Sequence, residues 1–339
     1  MWGGADMMLF NSILKKELSE FYAIREASMS KDTLAHDRST LLIFDRYLCI
    51  NNINSKEISE ETIYGWLQSL NVCQRTLVNK AILIRLFIRY LNTMGIKAFI
   101  PEIPKSSNEY IPYLFSDEEI THIFQFADNI RTIGNRATCP YMNLEIPMIL
   151  RLLFGCGLRI GEVLSIKISD VDLVGGILTI RCSKRNKQRL IPMHNSLTAI
   201  LGQYIMAIGI QGMLHAPLFP GVTLETPMPK YVVRDKFKFI LNKIGITLSE
   251  KSKRERGPCL HCLRHTFVLK SFSKTEEDGR SINDSIPYLS IYLGHESLNE
   301  TEKYLKFSSD LFPQHLKKFH DYSSVVFSKV SSEVKNYEK

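Results

Sequence analysis

Helical periodicity stops at residues 99–108 and resumes in a different style beyond them. The break reads Phe99-Ile100-Pro101-Glu102-Ile103-Pro104-Lys105-Ser106-Ser107-Asn108. Each proline removes a backbone donor and turns the residue before it away from helix, and small polar residues follow. A chain of 339 residues interrupted in this way is expected to fold as two parts. Before the break the pattern is helical, with Ile13, Leu14, Leu18, Phe21 and Tyr22 first. Leu34, Leu41, Leu42, Phe44, Tyr47 and Leu48 follow, then Tyr64, Trp66 and Leu67, then Leu77, Ala81, Leu83, Ile84, Phe87, Ile88 and Leu91. Four helices in a bundle are expected, with Ser55 and Ser59 as candidate caps of the third. Arg75, Lys80, Arg85 and Arg89 on the fourth helix read as a solvated face or a nucleic-acid surface.

After the break, Ser116-Asp117-Glu118-Glu119 reads as a capped helix start. An apolar helix over 146–154 is expected to be interrupted at Pro147, and Gly155-Cys156-Gly157 stops it. Arg159 and Glu162 stand three apart and share a helical face. Residues 177–181 and 190–192 are β-prone and flank a basic tip, Ser183-Lys184-Arg185-Asn186-Lys187-Gln188-Arg189. Helices are expected over 197–208, 231–244, 260–272, 286–293 and 311–319, with basic or charged loops over 251–258 and 274–284. The fold class is mainly α with a small β-hairpin or sheet. The expected boundaries are a disordered lead-in over 1–10, a helical domain over 11–100, a linker over 101–115, a larger α+β domain over 116–320 and a polar tail over 321–339.

The net charge of +8 favours a polyanionic partner such as nucleic acid or an acidic membrane surface, or marks a merely basic soluble protein. Seven cysteines with no signal peptide and no membrane-length apolar run point to reduced thiols in a cytoplasm, with no membrane partner. Cys259 and Cys262 lack the second ligand pair that structural zinc requires; no metal is expected, and both cysteines read as packed hydrophobes.

The chemistry concentrates in residues 261–304. There His261, Arg264, His295 and Tyr304 supply groups that suit a phosphodiester. Arginine pairs with phosphate oxygens through a planar, permanently charged fork. Tyrosine can attack phosphorus once cations or a base ease its deprotonation. A hairpin lysine, its pKa lowered by neighbouring charge, can protonate a leaving alkoxide. Arg159 and Lys184 complete the set, with Lys187 competing for the lysine role. Tyr288 and Tyr292 are alternative tyrosines but read as core, and His265 reads as support for its helix.

Gly157-Leu158-Arg159-Ile160-Gly161-Glu162, His261-Cys262-Leu263-Arg264-His265, and Leu293-Gly294-His295 with Tyr304 nine residues on resemble the motifs of the tyrosine recombinase (phage integrase) family. The resemblance covers residues 116–320 strongly and the N-terminal part, as a core DNA-binding domain, weakly. It implies a site-specific recombinase that cuts one DNA strand at a time through a 3′-phosphotyrosine, without metal, ATP or other cofactor. Tyr304 would be the nucleophile, Arg159 and Arg264 the phosphate clamp, Lys184 the acid, His261 a proton-transfer aid and His295 a phosphate ligand. Double-stranded DNA gripped between the two domains, a homotetramer on two DNA sites and accessory DNA-bending proteins are the implied partners. A segment after Leu311 would pack on a neighbouring subunit. A catalytically idle DNA-binding regulator and a type IB topoisomerase are the competing readings. Residues 274–280 resemble an insertion of the kind transposon-type members carry. The DNA target, the reaction type served and cleavage in cis or in trans are not written in the sequence.

Overall fold

The computed structural model describes residues 9–105, 112–130, 139–181, 188–246 and 257–306. The chain divides into two compact units, Met1–Glu109 and Tyr110–Lys339.

The first unit holds helices α1 (Lys15–Glu26), α2 (Lys31–Ile50), α3 (Glu60–Ser69) and α4 (Gln74–Thr93). Their apolar stripes close on one core, in which Phe44 meets Trp66 edge-on at 5.3 Å and Phe87 at 6.3 Å between ring centres. Ser30 and Ser59 cap α2 and α3 by accepting from the N–H groups of Thr33 and Thr62. Ser55 does not cap; its hydroxyl accepts from Glu57 N–H in the turn before α3. Residues 9 and 10, placed in the lead-in by the sequence reading, belong to the folded unit. Phe10 is buried, and Asp45 accepts from the N–H groups of Asn11 and Ser12, both at 2.9 Å. The basic row on α4 is not a uniform solvated face, because half-buried Lys80 donates to Thr40 Oγ1 at 3.2 Å.

The second unit opens on α5 (Asp117–Asp128), where Ser116 and Glu119 form a capping box. Helix α6 (Met142–Gly155) runs straight through Pro147 instead of being interrupted there. One missing backbone donor is outweighed by burial on nearly every side: Ile146, Met148, Ile149, Leu150, Leu152 and Leu153 all sit in the core. Next come α7 (Ile160–Ser165) and an antiparallel sheet of β1 (Val171–Asp172), β2 (Ile177–Ile180) and β3 (Arg189–Pro192). Register pairs Ile180 with Arg189 and Leu178 with Ile191. Helices α8 (Asn195–Ile208), α9 (Lys230–Lys243), α10 (Leu260–Glu277), α11 (Ile282–Leu293) and α12 (Leu298–Glu302) follow, then a 3-10 turn, Lys303–Lys306.

The predicted loop over 274–284 shrinks to residues 278–281. Thr275 and Glu276 are buried, Lys274 pairs with Asp278 at 3.2 Å one turn on, and the chain reverses at Gly279 with φ +72°. Most of the apparent insertion is therefore the last turn of α10. Tyr288 is 78% exposed and is not core, whereas Tyr292 is half-buried and stacks on Phe267. Cys262 is buried but Cys259 is exposed, so only one of the pair packs as a hydrophobe. Residues 183–187 of the expected tip, residues 251–256 of the expected basic loop, the helix over 311–319 and the tail lie outside the described residues. Among those described, no helix is long and apolar enough to cross a membrane.

Glu145 on α6 is fully buried, and neither carboxylate oxygen has a hydrogen-bond partner among the described residues. Burial raises its carboxyl from 4.5 to about 8. The folded chain keeps a proton there that the unfolded chain loses near 4.5, so stability is full below that value and falls as pH rises to about 8. The loss runs at about 1.4 kcal/mol per pH unit at most. Glu145→Gln should remove this slope. Thermal melts at about pH 5 and about pH 9 should show the wild type losing several degrees that the variant keeps.

Candidate active site

The C-terminal end of α11 organises the site. A helix leaves its last four carbonyls without intrahelical donors. Here Ser290 and Ile291 are served by the backbone: Gly294, in the left-handed region at φ +65°, turns the chain so that its own N–H and that of His295 reach back to them. Tyr292 and Leu293 are served by arginines. Arg189 Nε donates to Tyr292 O at 2.8 Å and Arg264 Nη2 to Leu293 O at 2.8 Å. Arg159 Nη1 also points at Leu293 O, at 3.5 Å. Cations at a helix C-terminus meet the negative end of its dipole as well as its free lone pairs.

Glu162 is the second organiser. It stands in the first turn of α7 and reaches back to the N–H of Arg159 at 2.9 Å, as a third helical residue does in a capping box. Its buried carboxylate also receives Arg159 Nη1 at 3.0 Å and both terminal nitrogens of Arg189, at 3.0 and 2.9 Å. Arg264 Nη1 lies 4.0 Å away. Burial opposes the charge on Glu162, but hydrogen bonds from Arg189 and from the Arg159 backbone outweigh it, and the carboxyl sits below its ordinary value. Three guanidiniums thus surround one carboxylate, leaving two positive charges in excess.

Arg264 is 1% exposed. Its Nη1 donates to Gly157 O at 2.6 Å, and its Nη2 lies 3.0 Å from His295 Nε2. Gly157 has φ +58°, and a side chain there would run into the Phe267 ring. Arginine only donates, so His295 Nε2 accepts; its proton is on Nδ1, which donates to Thr301 Oγ1 at 2.6 Å. Burial, then Arg264 and Arg159, push the His295 imidazole down to about 3, so it is neutral.

Tyr304 sits in the 3-10 turn and is 5% exposed, packed with Phe272, Ile286 and Leu293. Its ring lies parallel to His295 at 6.3 Å and tilted against His265 at 5.2 Å. Burial raises its hydroxyl above the ordinary tyrosine value; Arg264, by charge and by a hydrogen bond, and Arg159 offset part of that rise. His261 is exposed on the first turn of α10, with its ring 4.5 Å from that of His265.

The structure therefore brings Arg159, Arg264, His295 and Tyr304 together, with His261 one ring further out. Lys184 and its rival Lys187 lie outside the described residues. Three participants are missing from the sequence-based set. Arg189, assigned there to the hairpin tip, instead opens β3, and strand alternation could have revealed it: 189 shares a face with buried Ile191. His265, read as helix support, lies between His261 and Tyr304, one helical turn from His261. Thr301 carried no signal beyond its nearness to His295.

Arg159, Arg264, His295 and Tyr304 thus gather at one helix end, and comparison with known proteins shows the chain to be a tyrosine-type site-specific recombinase. The model of the phage integrase family matches residues 115–309, more than half of the sequence, and the chain belongs to that family. It is 27% identical over 318 residues to the Sinorhizobium fredii protein named "Putative integrase/recombinase y4rB", covering 91% of this chain and 97% of that one. Two solved structures share the fold. XerH site-specific recombinase bound to a palindromic difH substrate aligns with a TM-score of 0.66 at 19% identity, over 93% of this chain and 84% of that one. The Tn1549 transposon integrase in complex with transposon right end DNA gives 0.65 at 13% identity, over 92% and 100%.

Proposed function

We propose that this chain cuts and rejoins DNA strands at specific sites through a covalent 3′-phosphotyrosine. The observation that carries the reading is that Arg264 meets His295 Nε2 at 3.0 Å while the Tyr304 ring lies parallel to His295 at 6.3 Å, so the anion clamp and the nucleophile are one assembly. A phosphodiester entering beside Arg159 and Arg264 answers the excess of two positive charges. Those charges also match the extra negative charge that accumulates on the oxygens as phosphorus becomes five-coordinate. Tyr304 Oη attacks phosphorus, its proton leaving toward the histidine side. The bond from phosphorus to the 5′-oxygen breaks, and that oxygen takes a proton from Lys184. One phosphoester replaces another, so rejoining by the reverse steps needs no nucleotide cofactor.

His295 has a more particular role than phosphate ligand. In the arrangement seen, its Nε2 is occupied by Arg264. A phosphate that draws Arg264 Nη2 to itself releases Nε2, and a proton taken up there makes it a donor to the same phosphate. Movement of a mobile element, by a homotetramer on two duplexes, is the setting this reading favours; the similarity to a transposon integrase supports it.

The test is a library of nicked duplexes of random sequence, denatured in SDS after incubation. Adducts should be recovered with DNA joined through its 3′ end to Tyr304, should survive chelator and should share a sequence at the cut. Binding without adduct would establish the idle regulator. Relaxation of supercoils with no preferred sequence would establish the topoisomerase.

A further inference from the structure

We propose that Arg189 is a positioning residue for strand cleavage, holding both phosphate-facing arginines in place through Glu162 and through the end of α11. The inference rests on the reading of Arg159 and Arg264 as the phosphate clamp. Arg189 lies on a different element from either of them, at the first position of β3, and its side chain is largely buried. Three of its donors are assigned: two to the oxygens of Glu162 at 3.0 and 2.9 Å, one to Tyr292 O at 2.8 Å. The planar fork pairs with a carboxylate in one orientation, so it fixes the rotation of Glu162 as well as its place. Glu162 in turn fixes Arg159, and the carbonyl next to Tyr292 O is the one that Arg264 holds.

The arrangement solves a problem inherent in a buried carboxylate beside a phosphate clamp. A carboxylate with unfilled lone pairs competes with the phosphate for the same guanidiniums. Glu162 Oε2 is only 4.0 Å from Arg264 Nη1, close enough to draw it in. Arg189 fills those lone pairs and keeps Glu162 as a fixed reference instead of a rival anion. Without Arg189, the carboxylate closes on Arg264 and Arg159 and removes the charge they present to DNA.

This makes a prediction that a merely structural role does not. Removing Arg189 should be harmful mainly while Glu162 is charged, so a second substitution should repair the first. On a nicked duplex that the wild type cleaves, Arg189→Lys should bind DNA within about threefold of wild type, because the Arg189 donors face Glu162 and Tyr292 O and the variant keeps the positive charge. Its single-turnover adduct formation should be slower by about thirtyfold or more, because a point charge cannot serve both Glu162 oxygens and Tyr292 O. Arg189→Met, which keeps the stem without the charge, should be slower still. Adding Glu162→Gln to either variant should recover at least about tenfold of the lost rate, a sign of direct coupling. Circular dichroism and melting curves report folding, and Arg189→Lys carries the test if Arg189→Met unfolds. Arg189→Lys cleaving within about threefold of wild type, or a double variant no faster than the single one, overturns the proposal. Failure of the wild type to form any adduct overturns the strand-cleavage reading itself, which is a separate outcome.

Discussion

Tyr304→Phe should bind the target duplex as the wild type does and form no SDS-stable adduct. The substitution removes one oxygen. The ring keeps its place against His265 at 5.2 Å and His295 at 6.3 Å, and the apolar packing around it is unchanged. What is lost is the hydroxyl on which Arg264 acts and with it the only atom of that side chain able to attack phosphorus. Loss of a nucleophile costs on the order of 10⁴-fold or more in rate. Gel shift measures the first half of the expectation and adduct recovery on a nicked duplex the second. An adduct that persists would move the nucleophile to another side chain. Tyr288 is the exposed alternative and Tyr292 the half-buried one, and peptide mapping would separate them.

Arg264→Met should damage both fold and chemistry. The methionine fills much of the same space but donates nothing, so Gly157 O and His295 Nε2 lose their Arg264 donor and Leu293 O keeps only the longer contact with Arg159 at 3.5 Å. Each buried acceptor left in this way costs about 1–3 kcal/mol, so a loss of about 3 kcal/mol or more is expected in denaturant melts. Cleavage should fall by at least about 10³-fold, since a clamp donor and the group beside the tyrosine hydroxyl disappear at once. A third readout is independent of both. After burial, Arg264 is the first influence holding the His295 imidazole down at about 3, so in this variant the titration of His295 should move upward. NMR of the histidine ring follows this directly; an unmoved titration would mean that Arg264 does not govern His295. Arg264→Lys should be milder in stability and still severe in cleavage, because one ammonium cannot reach three acceptors in two directions.

Much of this site was open to reading from residue types and spacing. Ser116 with Glu119, the glycines at 157 and 294, and the three-residue step from Arg159 to Glu162 each have a local physical cause, and the structure shows the caps, turns and contact they imply. Arg189 was harder because its partners are remote in sequence: Glu162 is 27 residues away and Tyr292 is 103. A run of basic residues hides the member that turns inward, and only the alternation of the short strand marks it. The last turn of α10 was missed for another reason. Lys274-Thr275-Glu276-Glu277-Asp278 has a surface composition, yet the buried side of Thr275 and Glu276 faces tertiary neighbours that a local pattern does not contain. Proline at 147 misled in the opposite sense, because burial around α6 outweighed a penalty that composition alone makes look decisive.

Gly294 limits how this chain can vary over generations. A methyl group at that position would lie 2.9 Å from Arg189 Nη1, in a backbone conformation that already favours glycine. Positions 189 and 294, on separate elements, therefore behave as one heritable unit: drift at 294 is closed while arginine stands at 189. A lineage that lost the arginine would be freed at the glycine only so far as the left-handed turn allows. Paired mutational libraries at these two positions should return viable combinations that neither single library contains.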